Sequence, residues 1–372
     1  MQRLPTARQG AGRGRSESPA AEIVVICNPR AGGKWTELAR ILDSEEGKHV
    51  RRIVTDSVDD IAPAISGLGH EAKLLCIYGG DGTVQRILDH LSPTEHGSIN
   101  LALIGGGTMN VTSRWCGFHR SASENFREVV RSYLRGRLLF REVGLLDVVQ
   151  DDARYRGFTF GMGPIVRLLA DYEHGRKGKV AALATAGRGI AAALTGLPGF
   201  HARLLEQMRA NVSVDGEAIE YDRFCALFAN VTGQINPGVI PFVDRPTRDS
   251  FHYIAYAVSA REFTLNVPAL MRGWLPLDVS SLFRPGRVLR KLVDRRPVKA
   301  SVPSDPRYVN ANAQRLEIVT DEPLFTVDGE ILHSAGPRFS ISLGLQVRLA
   351  VSSQTTLRRA SVQAAKRYFV RD

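Results

Sequence analysis

Between residues 74 and 91 an apolar run, Leu74-Leu75-Cys76-Ile77, breaks into Tyr78-Gly79-Gly80-Asp81-Gly82-Thr83, and Val84, Ile87, Leu88 and Leu91 then return at helical spacing. That order is a buried strand, a tight turn and a helix. Three glycines let the backbone approach an anion with no Cβ in the way, and a helix N-terminus adds unpaired N–H groups and the positive end of its dipole. The arrangement suits phosphate. Asp81 at the tip would repel a phosphate on its own, so its natural task is to hold Mg²⁺ or orient a metal and water network.

The same unit recurs along the first part of the chain. Ile23-Val24-Val25-Ile26-Cys27 is a β-branched run of the kind buried on both faces, and it ends in Asn28-Pro29-Arg30-Ala31-Gly32-Gly33 before helical Trp35, Leu38, Ile41 and Leu42. Arg51 to Thr55 and then Ile61 to Leu68 repeat the alternation, and Leu101 to Ile104 runs into Gly105-Gly106-Gly107-Thr108-Met109-Asn110. Alternating strands and helices imply a parallel sheet with helices on both faces, with ligands outside the carboxyl ends of the strands. Glu124 to Arg135 is a further amphipathic helix, with Ser123 as a candidate cap and Gly136 as its stop.

From about Phe140 the texture changes to short strand-like runs set off by turns, among them Glu142 to Val149, Phe158 to Met162, Phe224 to Ala229, Phe251 to Val258 and Arg338 to Leu343. A second, mostly β region of sandwich type is expected there, with a packing helix near 180–197 inserted. The expected division is a basic tail over 1–20, an α/β domain over 21–140 completed by 347–372, and a β-rich domain over 141–346. A chain of 372 residues is long enough for two cores.

The formal net charge of +11 is concentrated rather than spread. Arg3, Arg8, Arg13 and Arg15 against Glu17 give +3 in the tail, and the run from Arg284 to Lys299 gives +6 against Asp294. Local basicity of this kind points to an anionic surface such as a membrane. No aromatic platform accompanies the basic runs, so nucleic acid is not an expected partner. Oligomeric state is not legible. Four scattered cysteines without close pairs fit a reducing compartment, and the polar N-terminal segment lacks the apolar core of a signal peptide. The expectation is a cytoplasmic protein, peripheral on the inner face of the membrane.

Asn28-Pro29 with Gly32, then Gly79-Gly80-Asp81-Gly82-Thr83, then Gly107-Thr108-Met109-Asn110, and finally Asp328-Gly329-Glu330 together resemble the ordered signature of the lipid kinase superfamily of bacterial diacylglycerol kinases and sphingosine and ceramide kinases. The resemblance implies a first domain of the NAD-kinase and phosphofructokinase type that binds ATP, and a second domain that closes over it and receives a diacylglycerol-like or sphingoid lipid. By motif, Asn28, Pro29, Arg30, Ala31 and Gly32 would line the nucleotide, with Thr55, Gly79, Gly80, Asp81, Gly82, Thr83, Val84, Gln85, Arg86, Thr108 and Asn110. Asp81 would serve the Mg²⁺ network. Asp328 and Glu330 would lie beside the transferred phosphate, Glu330 taking the proton of the lipid hydroxyl.

Some positions depart from that pattern. Gln85 replaces a common asparagine, Val111 a common aspartate, and Gly144 stands where a metal-network aspartate is expected, with Asp147 three residues on. Asp249, in Arg248-Asp249-Ser250, is the candidate for a structural magnesium ligand near Asn230. Asp215-Gly216-Glu217 repeats the last motif in a hairpin setting and is read as a structural turn. Two alternatives use the same scaffold: a soluble NAD-kinase-like enzyme, and an inactive lipid-binding protein. Trp274, Leu277 and the basic run to Lys299 form the expected membrane-facing arm over 274–299.

Overall fold

The computed structural model describes residues 22–31, 35–92, 96, 99–107, 110–174, 205–235, 239–243, 246–277 and 304–352. The basic tail, the expected helix near 180–197, the run 284–299 and the C-terminal helix lie outside those residues, as do Gly32 and Thr108.

In chain order the first lobe comprises β1 (Ile23–Cys27), α1 (Trp35–Leu42), β2 (Val50–Val54), α2 (Ile61–Ser66), β3 (Leu74–Tyr78), α3 (Asp81–His90), β4 (Asn100–Leu103), α4 (Val111–Trp115) and α5 (Ala122–Leu134). Strands β4, β3, β1 and β2 pair in parallel in that order. β1 and β3 are buried at every residue, as expected where helices cover both faces of a parallel sheet. The helices present Leu38 and Ile41, Ile61 and Ile65, Ile87 and Leu88, and Phe126, Val129 and Val130 to that core. α5 is opened by a complete capping box, in which Ser121 rather than Ser123 is the cap and Glu124 answers it.

The second region contributes β5 (Leu139–Gln150), β6 (Ala153–Gly157), β7 (Thr159–Met162), α6 (Pro164–His174), β8 (Met208–Val214), β9 (Glu217–Ala218), β10 (Arg223–Phe224), β11 (Ala226–Asn230), β12 (Phe251–Tyr256) and α7 (Ala260–Leu270). It ends with β13 (Tyr308–Ala313), β14 (Arg315–Thr320), β15 (Leu324–Val327), β16 (Glu330–His333) and β17 (Arg338–Val351). A six-stranded antiparallel sheet runs β13-β12-β11-β7-β15-β16. It faces β5, β8, β14 and β17 across a core of Leu146, Val148, Phe160, Phe325, Phe339 and Ile341. Its outer face carries a third core under α7, with Ile254, Tyr256, Leu270 and Tyr308.

β17 joins the two regions. Its first half pairs β14 antiparallel, and Arg348 and Leu349 then pair with Asn100 and Leu101 of β4 in parallel. β5 accompanies it over its length, from Gln150 opposite Phe339 to Leu139 opposite Val351. The expected boundary at 140/141 therefore falls within a strand. Where the ladder kinks at Gly344, a Cβ would stand 2.3 Å from the Asp147 carboxyl carbon, which accounts for glycine there.

Candidate active site

The carboxyl ends of the four parallel strands stand in a row, and backbone hydrogen bonds continue across the turns that leave them. Thr55 N–H donates to Cys27 C=O at 2.9 Å, Asn28 N–H to Tyr78 C=O at 2.9 Å and Gly106 N–H to Gly79 C=O at 2.7 Å. Side chains reinforce the row: Asn28 Nδ2 donates to Thr83 Oγ1 at 3.0 Å, and the Tyr78 hydroxyl to Ala31 C=O at 3.2 Å. Two glycine turns then close on each other. A Cβ on Gly107 would stand 2.7 Å from Gly80 Cα, and one on Gly79 would meet Thr83 Cβ at 2.5 Å. A wall of bare backbone results. Gly80 caps α3, so the N–H groups of its first turn, Asp81 to Thr83, lack helical acceptors and can meet an anion.

The third turn is shaped by Asn110. Its left-handed backbone, φ 48°, suits an asparagine. Its Oδ1 accepts from Gly107 N–H at 2.8 Å while its Nδ2 donates to Gly107 C=O at 2.7 Å. The N–H groups of Asn110 and Val111 donate to the Asp81 carboxylate. Burial nonetheless pushes Asp81 up to about 6; Glu330 raises it further, and Arg114 on α4 acts in the opposite direction.

Glu330 reaches this turn from the other lobe. A Cβ on Gly82 would stand 2.3 Å from Glu330 Oε1 and 2.7 Å from its Cδ, so the carboxylate lies on the first turn of α3. Asp328, two residues earlier, serves a different place. Both oxygens accept N–H groups, from Phe158 at 2.9 and 3.0 Å and from Thr159 at 2.8 Å, which anchors the β15–β16 turn to β7. The residue is half-buried, and desolvation of its carboxyl group pushes it up to about 8.

Asp215 does the same for its own turn, accepting from Gln314 and Arg315 N–H groups at 2.9 and 2.7 Å. The backbones agree, φ 51° and 90° at Asp215 and Gly216 against 52° and 92° at Asp328 and Gly329. The turns differ in what faces them. Asp328 is close enough to Asp81 and Asp89 for their charges to raise its pKa.

Several expected contacts are corrected. Val84 and Gln85 are buried, Val84 in the core of the first lobe and Gln85 directed at Asp89, 3.5 Å away. α3 turns that face against β6, so both side chains are buried there. Thr55 is buried and donates its hydroxyl to Cys27 C=O at 3.2 Å, so it closes the β1–β2 gap instead of presenting a free group. Arg30 and Arg86 are exposed, Pro29 and Ala31 half-buried, and Arg30 contributes its N–H to Asn28 Oδ1 at 3.0 Å. Asp249 stands on an exposed turn, and no group of three or more His, Cys, Asp or Glu that could hold a metal exists among the described residues. The Asn230 amide is taken up by Thr159, Thr232, Gly233 and Gln234.

The sequence reading missed two arginines. Arg114, one helical turn beyond Asn110, is exposed and placed to act on the Asp81 charge; its spacing from the glycine turn was the available signal. Arg156 on β6 is buried and bolts the far end of α3 to the second region. Its N–H donates to Asp89 Oδ1 at 2.6 Å, its Nε to Asp147 Oδ1 at 3.0 Å, and its head also meets Leu91 C=O. Asp147 is thereby engaged in an ion pair. No local pattern announces such a bolt.

Residues 22–138 match the family model of the diacylglycerol kinase catalytic domain. No curated protein matches the chain. Two solved structures from Bacillus anthracis str. Sterne, assigned as diacylglycerol kinases, superpose with TM-scores of 0.58 and 0.56 at 16% and 17% identity. They cover 91% and 90% of this chain and 99% of their own. At that identity the likeness speaks for the fold: an α/β lobe with a parallel sheet followed by an antiparallel β region. With its glycine turns on the strand ends, the stretch 22–138 thus matches the catalytic-domain model of the diacylglycerol kinases, the family whose motifs the sequence resembles.

Proposed function

We propose that the protein is an ATP-dependent lipid kinase that transfers the γ-phosphate to a hydroxyl of a diacylglycerol-like or sphingoid lipid. The observation that carries the proposal is the seat of Glu330, whose carboxylate from the second lobe lies against Gly82 on the phosphate-binding turn of the first. A donor and an acceptor bound on opposite sides would meet there.

Phosphoryl transfer is mostly positioning and charge neutralisation. The bare wall of Gly79, Gly80 and Gly107 admits the phosphate chain, and the first-turn N–H groups of α3 donate to it. Asp81 is held by the Asn110 and Val111 N–H groups, and its mutual repulsion with Glu330 makes the pair a fitting place for a divalent cation. Bound Mg²⁺ would offset charge on the phosphate oxygens. Glu330 accepts the proton of the attacking hydroxyl, and Arg114 supplies positive charge nearby. Asp328 keeps the turn that aims Glu330.

The test is incubation of the full chain with labelled ATP and Mg²⁺ against diacylglycerol, ceramide, sphingosine and monoacylglycerol in mixed micelles, with NAD as a soluble rival. Label in one lipid class supports the proposal. Label in NAD alone, or in nothing, would remove it.

A further inference from the structure

Of the eleven large apolar side chains that stand exposed among the described residues, six lie in two short stretches, Ile240 with Val243 and Leu265 with Met271, Trp274 and Leu277. The fold brings the two together. Ile240 N–H donates to Met271 C=O at 2.9 Å, and Gly273, at φ +72°, packs where a Cβ would stand 3.2 Å from the carbonyl oxygens of Ile240 and Phe242. Phe242 points inward and joins Leu270 in the core under α7, while Ile240 and Val243 face out. Trp274 is 65% exposed, Leu265 63% and Leu277 59%. Single exposed apolar residues are ordinary, but a contiguous group marks an interaction surface.

Charge selects the partner. Arg261, Leu265, Pro268 and Arg272 are all exposed and follow one another at helical spacing, so two cations bracket the apolar stripe. The Arg272 guanidinium lies 5.9 Å from the centroid of the Trp274 ring. The neighbouring acids are already engaged, Glu262 and Asp305 both by Arg307, at 2.7 and 2.6 Å. Leu277 and Ser304 form an isolated antiparallel bridge, and Asp305 N–H donates to Pro276 C=O at 2.8 Å. Leu277 and Ser304, the described residues that flank the +6 run from Arg284 to Lys299 in sequence, thus both stand at this surface. A second copy of the chain would set like charges face to face. An anionic bilayer answers both the apolar and the cationic groups.

We propose that this surface docks the protein on an anionic phospholipid bilayer, with Leu265, Trp274 and Leu277 entering the interface and Arg261 and Arg272 meeting head groups. The inference deepens the lipid-kinase reading and rests on it for the bilayer as the place of work. In the second sheet β13 occupies one edge and β16, which carries Glu330, the other. The docking surface lies over the β13 side, so contact there leaves Glu330 on the opposite edge uncovered.

The experiment is flotation of the full chain with vesicles of phosphatidylcholine alone and of phosphatidylcholine with phosphatidylglycerol. The unaltered chain is expected to float with the anionic vesicles, less so as salt rises. Leu265→Ala with Trp274→Ala should weaken binding about tenfold or more, and Arg261→Gln with Arg272→Gln roughly tenfold. Turnover of a short-chain diacylglycerol dispersed in water should be the same in all of them.

Equal flotation of the Leu265/Trp274 variant and the unaltered chain overturns the proposal, as does failure of the unaltered chain to float with anionic vesicles. A shift in sedimentation of the variants with no change in flotation overturns it too, in favour of a protein interface. Variants that lose flotation while no lipid is phosphorylated leave the surface standing and remove the kinase reading. Turnover of dispersed lipid without any flotation does the reverse.

Discussion

Replacing Gly82 by alanine separates the chemistry from the fold. Gly82 is helical, the second residue of α3, and its φ is not in the left-handed region, so alanine is sterically free as far as its own backbone is concerned. Helix propensity favours the change by up to about 1 kcal/mol. The new Cβ, however, would stand 2.3 Å from Glu330 Oε1. Ordinary contact is about 3.5 Å, so the carboxylate must withdraw by about 1 Å, and a displacement of that size costs roughly 10²-fold in rate. The backbone N–H groups that would hold phosphate are untouched. The expected result is thermal stability equal to or above the unaltered chain, near-unchanged KM for ATP and kcat lower by roughly 10²-fold in the mixed-micelle assay. Full turnover in a stably folded variant would refute the placement of Glu330 at the phosphate. Lost turnover with lost stability would assign the glycine to folding instead.

Three further perturbations address the frame around the site. Ser121→Ala removes a capping box from α5 and should cost about 1 kcal/mol, read as a lower urea midpoint with an unchanged slope. Arg167→Met strips the partner from buried Glu322, whose carboxylate accepts Arg167 Nε at 2.7 Å; a loss of about 3–5 kcal/mol is expected, part of which Glu322→Gln in the same chain should restore. Asp89 is pushed up to about 6, chiefly by burial. A raised carboxyl pKa means that the native state holds the proton more tightly than the unfolded chain. Its contribution is full below the ordinary carboxylate range and fades as pH rises through about 6. Asp89→Asn keeps an acceptor for Arg156 N–H and should raise stability at neutral pH by about 1 kcal/mol, after discount for partial exposure, with no gain at acid pH; unfolding at several pH values checks it.

The glycine turns were legible because each follows an apolar run long enough to be a buried strand, and the helices after them because Leu38 with Ile41 and Leu42, or Val84 with Ile87 and Leu88, repeat at helical spacing. The sandwich was legible as short strand-like runs set off by turns. What escaped depends on long-range pairing. β5 and β17 meet across nearly two hundred residues, and nothing local in Glu142 to Val149 says that its partner continues into the first sheet. Gln85 reads as a polar cleft residue, yet its partner Asp89 and the Arg156 bolt draw that face of α3 inward. The two Asp-Gly-Glu turns are alike in sequence and backbone. Only the surroundings separate an exposed hairpin from one that sets Glu330 on Gly82.

The central claim, that Asp81 and Glu330 act on one phosphate, is tested most directly by single-turnover transfer from labelled ATP to the accepted lipid in Asp81→Asn, Glu330→Gln and the double variant. Each single change should cost about 10²-fold or more, and the double variant should be no worse than the weaker single one, since both act on the same step. Losses that multiply in the double variant, or either single variant turning over at the unaltered rate, would contradict the account.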